Sequence, residues 1–269
     1  MSPGELGLIV VSSTPNADRW IFRLRRVVRR YRARIQGNVA VARLLLFTFR
    51  GRVDEVWVGD SHAVHMNSPT MITALRRLPD GRWVMHVGPR VMYSIAREGL
   101  PAAALRVIRL VGRVRRGHEI VWGFSFGEID VRCHLVPRMD DPDAALSFVP
   151  SYLRHLQEAA ASAGARRAIV LIPPPESDVY PDQIGFPVVG TLAERIEASH
   201  ALRDAMVKAA ADLPGGSTSI SLIDLTDEFS DERGAMREDL TYDGLHANDT
   251  GRAVFRARVE EILRSTSEQ

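Results

Sequence analysis

Two short stretches of the chain hold residue types that can do chemistry together. Gly59-Asp60-Ser61-His62 follows the apolar run 53–58 (VDEVWV), and DLTYDGLHAN occupies residues 239–248 in the last third. In the second stretch Asp243 and His246 stand three apart across Gly244. On a turn, that spacing lets a carboxylate accept from one imidazole nitrogen while the other faces outward. An imidazole held this way has its tautomer fixed and its protonated form stabilised, which is what a general base for a hydroxyl nucleophile needs. Ser61 is the hydroxyl that such a base would serve. Each stretch also has a plainer reading as a tight turn, with Asp60, Ser61 or Asp243 capping the next helix.

The elements around the two stretches decide how they are read. Five apolar, β-rich runs recur from residue 53 onward: 53–58, 83–87 (WVMHV), 120–126 (IVWGFSF), 168–172 (AIVLI) and 219–223 (SISLI). Helical periodicity fills the intervals at 91–98, 102–115, 144–163 and 192–211, with a last helix over 250–264. Strands alternating with helices predict a parallel sheet with helices on both faces. Ser61 then follows the first sheet strand, and the Asp243/His246 pair follows the last. In a doubly wound sheet both lie at the carboxyl edge, where side chains converge. The Pro173-Pro174-Pro175 run opens a loop to about Gly190, long enough to shape a pocket.

Composition sets outer bounds. The chain has 269 residues, 45% hydrophobic and 25% charged, as expected of a globular protein with one sizeable core. The single Cys133 rules out an internal disulfide and fits a reducing compartment. Lys208 is the one lysine among 35 basic residues, a bias expected of a GC-rich, actinobacterial coding genome. Net charge is +2, but residues 1–52 carry eleven Arg against Glu5 and Asp18, a local +9. Within them, residues 15–36 have helical spacing, with Trp20, Leu24, Val27, Val28, Tyr31 and Ile35 on one face and Arg on the other. Such a helix can pack on its own domain with a solvated Arg face, touch an anionic membrane surface weakly, or meet a polyanion. No basic repeat interleaved with aromatics points to nucleic acid. No secretion signal is evident, and the longest apolar stretch, 39–49, is broken by Arg43 and too short to span a membrane. A cytoplasmic location is expected. The predicted organisation is a basic helical extension over 1–52, a catalytic domain over 53–264 and a frayed tail over 265–269.

The two motifs, in this order and on these strands, resemble the SGNH/GDSL hydrolase family. The resemblance implies a flavodoxin-like three-layer α/β/α sandwich with a central parallel sheet. It assigns Ser61 as nucleophile, His246 as base and Asp243 as the residue orienting the base. It also implies oxyanion donors: the backbone N–H of Ser61 and that of a glycine after the next strand, which Gly88 fits. The family's third block, G-x-N-D, corresponds here to Gly127-Glu128-Ile129-Asp130. Ile129 stands where a donating Asn is expected and has no polar side-chain atom. Arg132 is the candidate substitute donor, the alternative being a salt bridge to Asp130 or Glu128. Asp60 reads as a turn residue near the site, and His62 as a residue behind the site or on the surface, the other reading being contact with substrate. His86, His118, His134, His155 and His200 lack metal-ligand spacing, so neither metal nor cofactor is expected.

The chemistry implied is acyl transfer through an acyl-serine. With water as acceptor the protein is a carbohydrate or lipid esterase, and with a sugar hydroxyl it is an acyltransferase. A degenerate site that only binds carbohydrate or lipid is the third reading. The Arg-rich segment, suited to the phosphates of an acyl-CoA donor or to an anionic sugar, leans toward transfer. The partners expected are therefore a small acyl donor and a carbohydrate acceptor; oligomeric state is left open.

Overall fold

The structure, a computed structural model, describes residues 35–62, 75–78, 81–180 and 186–265. The chain divides into two compact units, Met1–Ala40 and Val41–Gln269. The predicted 15–36 helix falls almost wholly outside the described residues, as does the frayed tail expected over 265–269, except that Ser265 still belongs to the last helix.

A six-stranded sheet organises the second unit. Helix α1 (residues 41–49 of a helix described from residue 35) leads into β1 (Glu55–Gly59), which lies inside the sheet. β2 (Leu75–Arg77) pairs antiparallel with β3 (Trp83–His86), which pairs parallel with β1. β4 (Val121–Ser125), β5 (Arg167–Leu171) and β6 (Ser219–Ile223) continue in parallel on the other side. The full order is β2-β3-β1-β4-β5-β6. Without the antiparallel edge strand this is the flavodoxin-like order, which reverses direction at β1.

All five expected strands are present. β2 is an addition: three residues with two arginines offer no alternating pattern to read. Helices α2 (Met92–Glu98), α3 (Ala102–Val114), α6 (Leu192–Ala211) and the last one match expectation closely. The expected 144–163 helix is two, α4 (Pro142–Leu146) and α5 (Val149–Ser162). Pro142 sits in the first turn of α4 and Pro150 in that of α5, where a missing N–H costs nothing. A short α7 (Thr226–Phe229) and α8 (Asp249–Ser265) close the chain.

Strand alternation sends neighbouring residues to opposite faces. Trp57, Val84, Ile169 and Leu171 meet Phe255 and Val259 of α8 in one apolar cluster. Trp57 lies edge-on to Phe255, ring centres 5.1 Å apart. Directly across from Trp57 stands Gly123, where a Cβ would overlap the indole, so β4 leaves room for that ring. On the same face buried Glu55 takes two bonds from Arg256 of α8, at 2.9 and 3.0 Å. The opposite face is covered by α5, which packs on β5 and β6 and is joined by α2, α3 and α6. Its Tyr152, Leu153 and Leu156 are fully buried. The result is the expected three-layer α/β/α sandwich. Among the described residues no helix is long and apolar enough to cross a membrane.

Candidate active site

The carboxyl ends of the strands bring the two motifs to one edge. β1 ends at Gly59, and its pairing runs on: Val87 N–H donates to the Gly59 carbonyl at 2.9 Å, and Asp60 N–H donates to Ser125 at 3.2 Å. The next residue, Ser61, is exposed and flanked by the β3 and β4 exits. Gly88 follows the β3 exit with φ +80° and open space around it. A left-handed φ of this kind is what favours glycine there.

The 239–248 stretch forms a tight, self-bonded turn between a 3-10 turn (Glu238–Leu240) and α8. One Asp243 oxygen accepts the N–H groups of Leu245 (2.9 Å) and His246 (2.7 Å). The other lies 2.8 Å from His246 Nδ1. Burial would raise the Asp243 pKa, but the imidazole and the two backbone donors outweigh it and hold the carboxyl below its ordinary value. Gly244 has φ +80°, and a Cβ there would overlap the Val179 carbonyl oxygen. Gly244→Ala is therefore expected to push the turn off the 173–180 segment. Activity falls at least tenfold and thermal unfolding moves down by several degrees, read by calorimetry beside an ester assay.

His62, immediately after Ser61, is 3% exposed and seated among Ile172, Pro174, Phe229, Met236 and Leu245. Burial, helped by His246 and Arg132, pushes its pKa down to about 3. Its ring stacks on His246, centres 5.2 Å apart and planes 24° apart. Tyr242 stacks on His246 as well, at 5.8 Å and 14°. These contacts bring the Ser61 segment and the Asp243/His246 turn together. Sequence reasoning missed Tyr242, although it sits beside Asp243 in the same motif.

Asp60 is 3% exposed; one oxygen accepts His62 N–H at 2.9 Å and the other has no partner among the described residues. Burial, with the charges of Glu128 and Asp130 adding to it, pushes its pKa up to about 8. Asp60 holds the turn that carries Ser61 through its bond from His62 N–H.

The 127–138 segment departs from a plain loop. A π-helix (Asp130–Leu135) follows Gly127, a form frequent at functional sites. Ile129 is buried. Asp130 accepts Met92 N–H at 2.7 Å and Tyr93 N–H at 3.3 Å, so it anchors the start of α2. Arg132 is buried and grips Glu128 through Nε and Nη2, while Nη1 donates to the Phe186 carbonyl at 2.7 Å. Of the two alternatives read from the sequence, the structure places Arg132 in the salt bridge with Glu128. Arg132 and Arg195 both lie over the Tyr180 ring, at 5.6 and 5.5 Å. Tyr180 OH donates to Glu176, which also faces Arg195 at 3.3 Å. This buried cluster fastens the loop that backs the Asp243/His246 turn. Cys133 is buried, its thiol pushed up to about 11 chiefly by burial.

A cavity of ≈ 400 Å³ opens between α2 and the π-helix, lined in part by Val91, Tyr93, His134, Leu135, Arg138 and Phe148. That volume lies in the range of small-molecule sites, about 300–1,000 Å³. Its walls are mostly apolar and aromatic, with Asp130, His134 and Arg138 as their polar members. No cluster of His, Cys, Asp or Glu able to hold a metal occurs among the described residues.

No protein-family model and no curated protein matches the chain. Solved structures give weak likenesses. A Streptococcus pneumonia protein described as a platelet activating factor is 12% identical with TM-score 0.48, covering 93% of this chain and 100% of that one. A Bacteroides fragilis protein described as an acylhydrolase is 12% identical with TM-score 0.45, covering 80% and 88%. An extracellular lipase from Streptomyces rimosus is 14% identical with TM-score 0.41, covering 74% and 94%.

Proposed function

We propose that the chain is an SGNH/GDSL-type enzyme that transfers acyl groups through an acyl-Ser61 intermediate. The observation that carries this reading is the His246 imidazole, held by Asp243 at 2.8 Å and stacked on the residue that follows Ser61. His246 takes the Ser61 proton as the hydroxyl attacks the acyl carbonyl, and returns it to the leaving group. The Ser61 and Gly88 backbone N–H groups are the oxyanion donors, since Ile129 has none to offer and Arg132 is held by Glu128. Losing one such donor costs roughly 100- to 1000-fold in enzymes built around it. A thioester or other activated donor suits this site better than an unactivated ester.

The finer reading is an acyltransferase that moves a short or medium acyl group to a sugar hydroxyl. The donor is an acyl-CoA such as octanoyl-CoA, and the acceptor is of glucosylglycerate type, as in the mycobacterial octanoyltransferase of methylglucose lipopolysaccharide biosynthesis. The Arg-rich residues 1–52 favour an anionic substrate, and the largely apolar lining of the cavity suits its acyl part. The test is octanoyl-CoA consumption with and without glucosylglycerate, products followed by mass spectrometry. The expected result is consumption that needs the acceptor and yields an acylated sugar. Equal consumption that yields free octanoate makes the protein a hydrolase, and no turnover with any ester overturns the acyl-serine reading.

A further inference from the structure

We propose that Tyr242 and His62 are positioning residues for the general base: their stacked rings fix the plane of the His246 imidazole and stabilise the imidazolium formed when it takes a proton. The inference rests on the acyl-transfer reading above and gives two residues a role that the triad alone does not assign.

Asp243 holds one edge of the imidazole through Nδ1. A single in-plane bond leaves the ring free to tilt about it, and tilting swings Nε2 away from the serine. Two nearly parallel rings, at 5.2 and 5.8 Å, oppose that tilt. Tyr242 is tied to the residue on which it stacks, because its N–H donates to the His246 carbonyl at 3.1 Å. Thr241 Oγ1 donates to the same carbonyl at 2.8 Å. His62 is tied to the nucleophile's turn through its N–H bond to Asp60. The stack thus couples the segment that carries Ser61 to the segment that carries its base.

Charge is the second part. An aromatic face attracts a cation, and Tyr242 offers one to the imidazolium. A charged His62 would repel it. The apolar seat of His62 keeps that ring neutral, so it presents a π face and no competing charge. The other ionisable groups facing this stack are Asp243 on the same turn, Asp60 beside His62, Arg132 and Glu128 from the segment after β4, and Arg252 of α8 near Tyr242. None of them is altered by changing Tyr242.

Tyr242 is 41% exposed, so Tyr242→Leu leaves the core untouched. Expected are a two- to fivefold fall in kcat with KM unchanged, and an acid limb of the pH–rate profile shifted about 0.3–0.7 unit lower. Tyr242→Phe keeps the ring and restores both. His62→Phe retains activity, and His62→Leu loses it. The same shift in His246 titration is read by NMR in a Ser61→Ala background, where no acyl transfer is needed. If no substrate is turned over, the acyl-transfer reading fails while the NMR titration still decides the stack. A Tyr242→Leu protein with unmoved kcat, limb and titration overturns the inference, as does a Tyr242→Phe protein as impaired as Tyr242→Leu.

Discussion

Ser61→Ala removes acyl transfer by roughly 10⁴- to 10⁶-fold and leaves the fold intact. The side chain is exposed at the end of β1 and buries no core surface, so its removal costs little stability. The loss comes from chemistry. Without the hydroxyl no acyl-enzyme forms, and His246 has no proton to take. Acyl-donor consumption by the purified variant measures it, with calorimetry confirming an unchanged unfolding temperature. A phosphonate or sulfonyl fluoride should add its mass to the wild-type chain at Ser61 and not to the variant. Full activity in Ser61→Ala would sink the mechanism. Equal ligand binding by both proteins, with turnover by neither, would leave a binding protein.

Asp243→Asn is expected to cost about 10⁴-fold in kcat, for a reason visible in the turn. One Asp243 oxygen accepts two backbone N–H groups, from Leu245 and His246. Only the carbonyl oxygen of an asparagine can take that place. Its NH₂ then faces Nδ1 of His246, which must turn acceptor, and the proton moves to Nε2. An imidazole protonated at Nε2 cannot accept from a serine. The turn itself survives, so near-native unfolding with collapsed kcat is the signature; loss of fold instead would mean that the charge matters to structure first. The sign of the linkage is set by the lowered Asp243 pKa. The stability it contributes is present above the ordinary carboxylate pKa and is lost as pH falls through the lowered value.

Much of this arrangement is legible in the order of residues along the chain. Val56–Val58 and Ile169–Leu171 are continuous apolar runs, as strands covered on both faces must be. Motif order then places Ser61 and His246 on one sheet edge. Other features leave no such trace. β2 has three residues, and its pairing with β3 is set in space. The break before α5 is signalled by Pro150, a signal that the continuous helical spacing of residues 144–163 masks. Asp130 reaches across to Met92 and Tyr93, a pairing set in space, whereas the Arg132–Glu128 pair is local, one turn apart, and stands among the alternatives the sequence offers. Tyr242 is in plain view in the motif, but a stack against His246 is a fact of the turn's conformation.

The tie between β1 and α8 bears on when the site comes into being. Glu55 and Arg256 lie 201 residues apart in sequence, and Phe255 beside Arg256 covers Trp57. On the ribosome, at about 5–20 residues per second, β1 waits roughly 10–40 s for those partners. Until then one face of the central strand lacks its cover, and Ser61 lacks its base. Such distant pairings make for slow folding. Assembly of the site waits on residues 243–256, so products that stop before them carry Ser61 without His246.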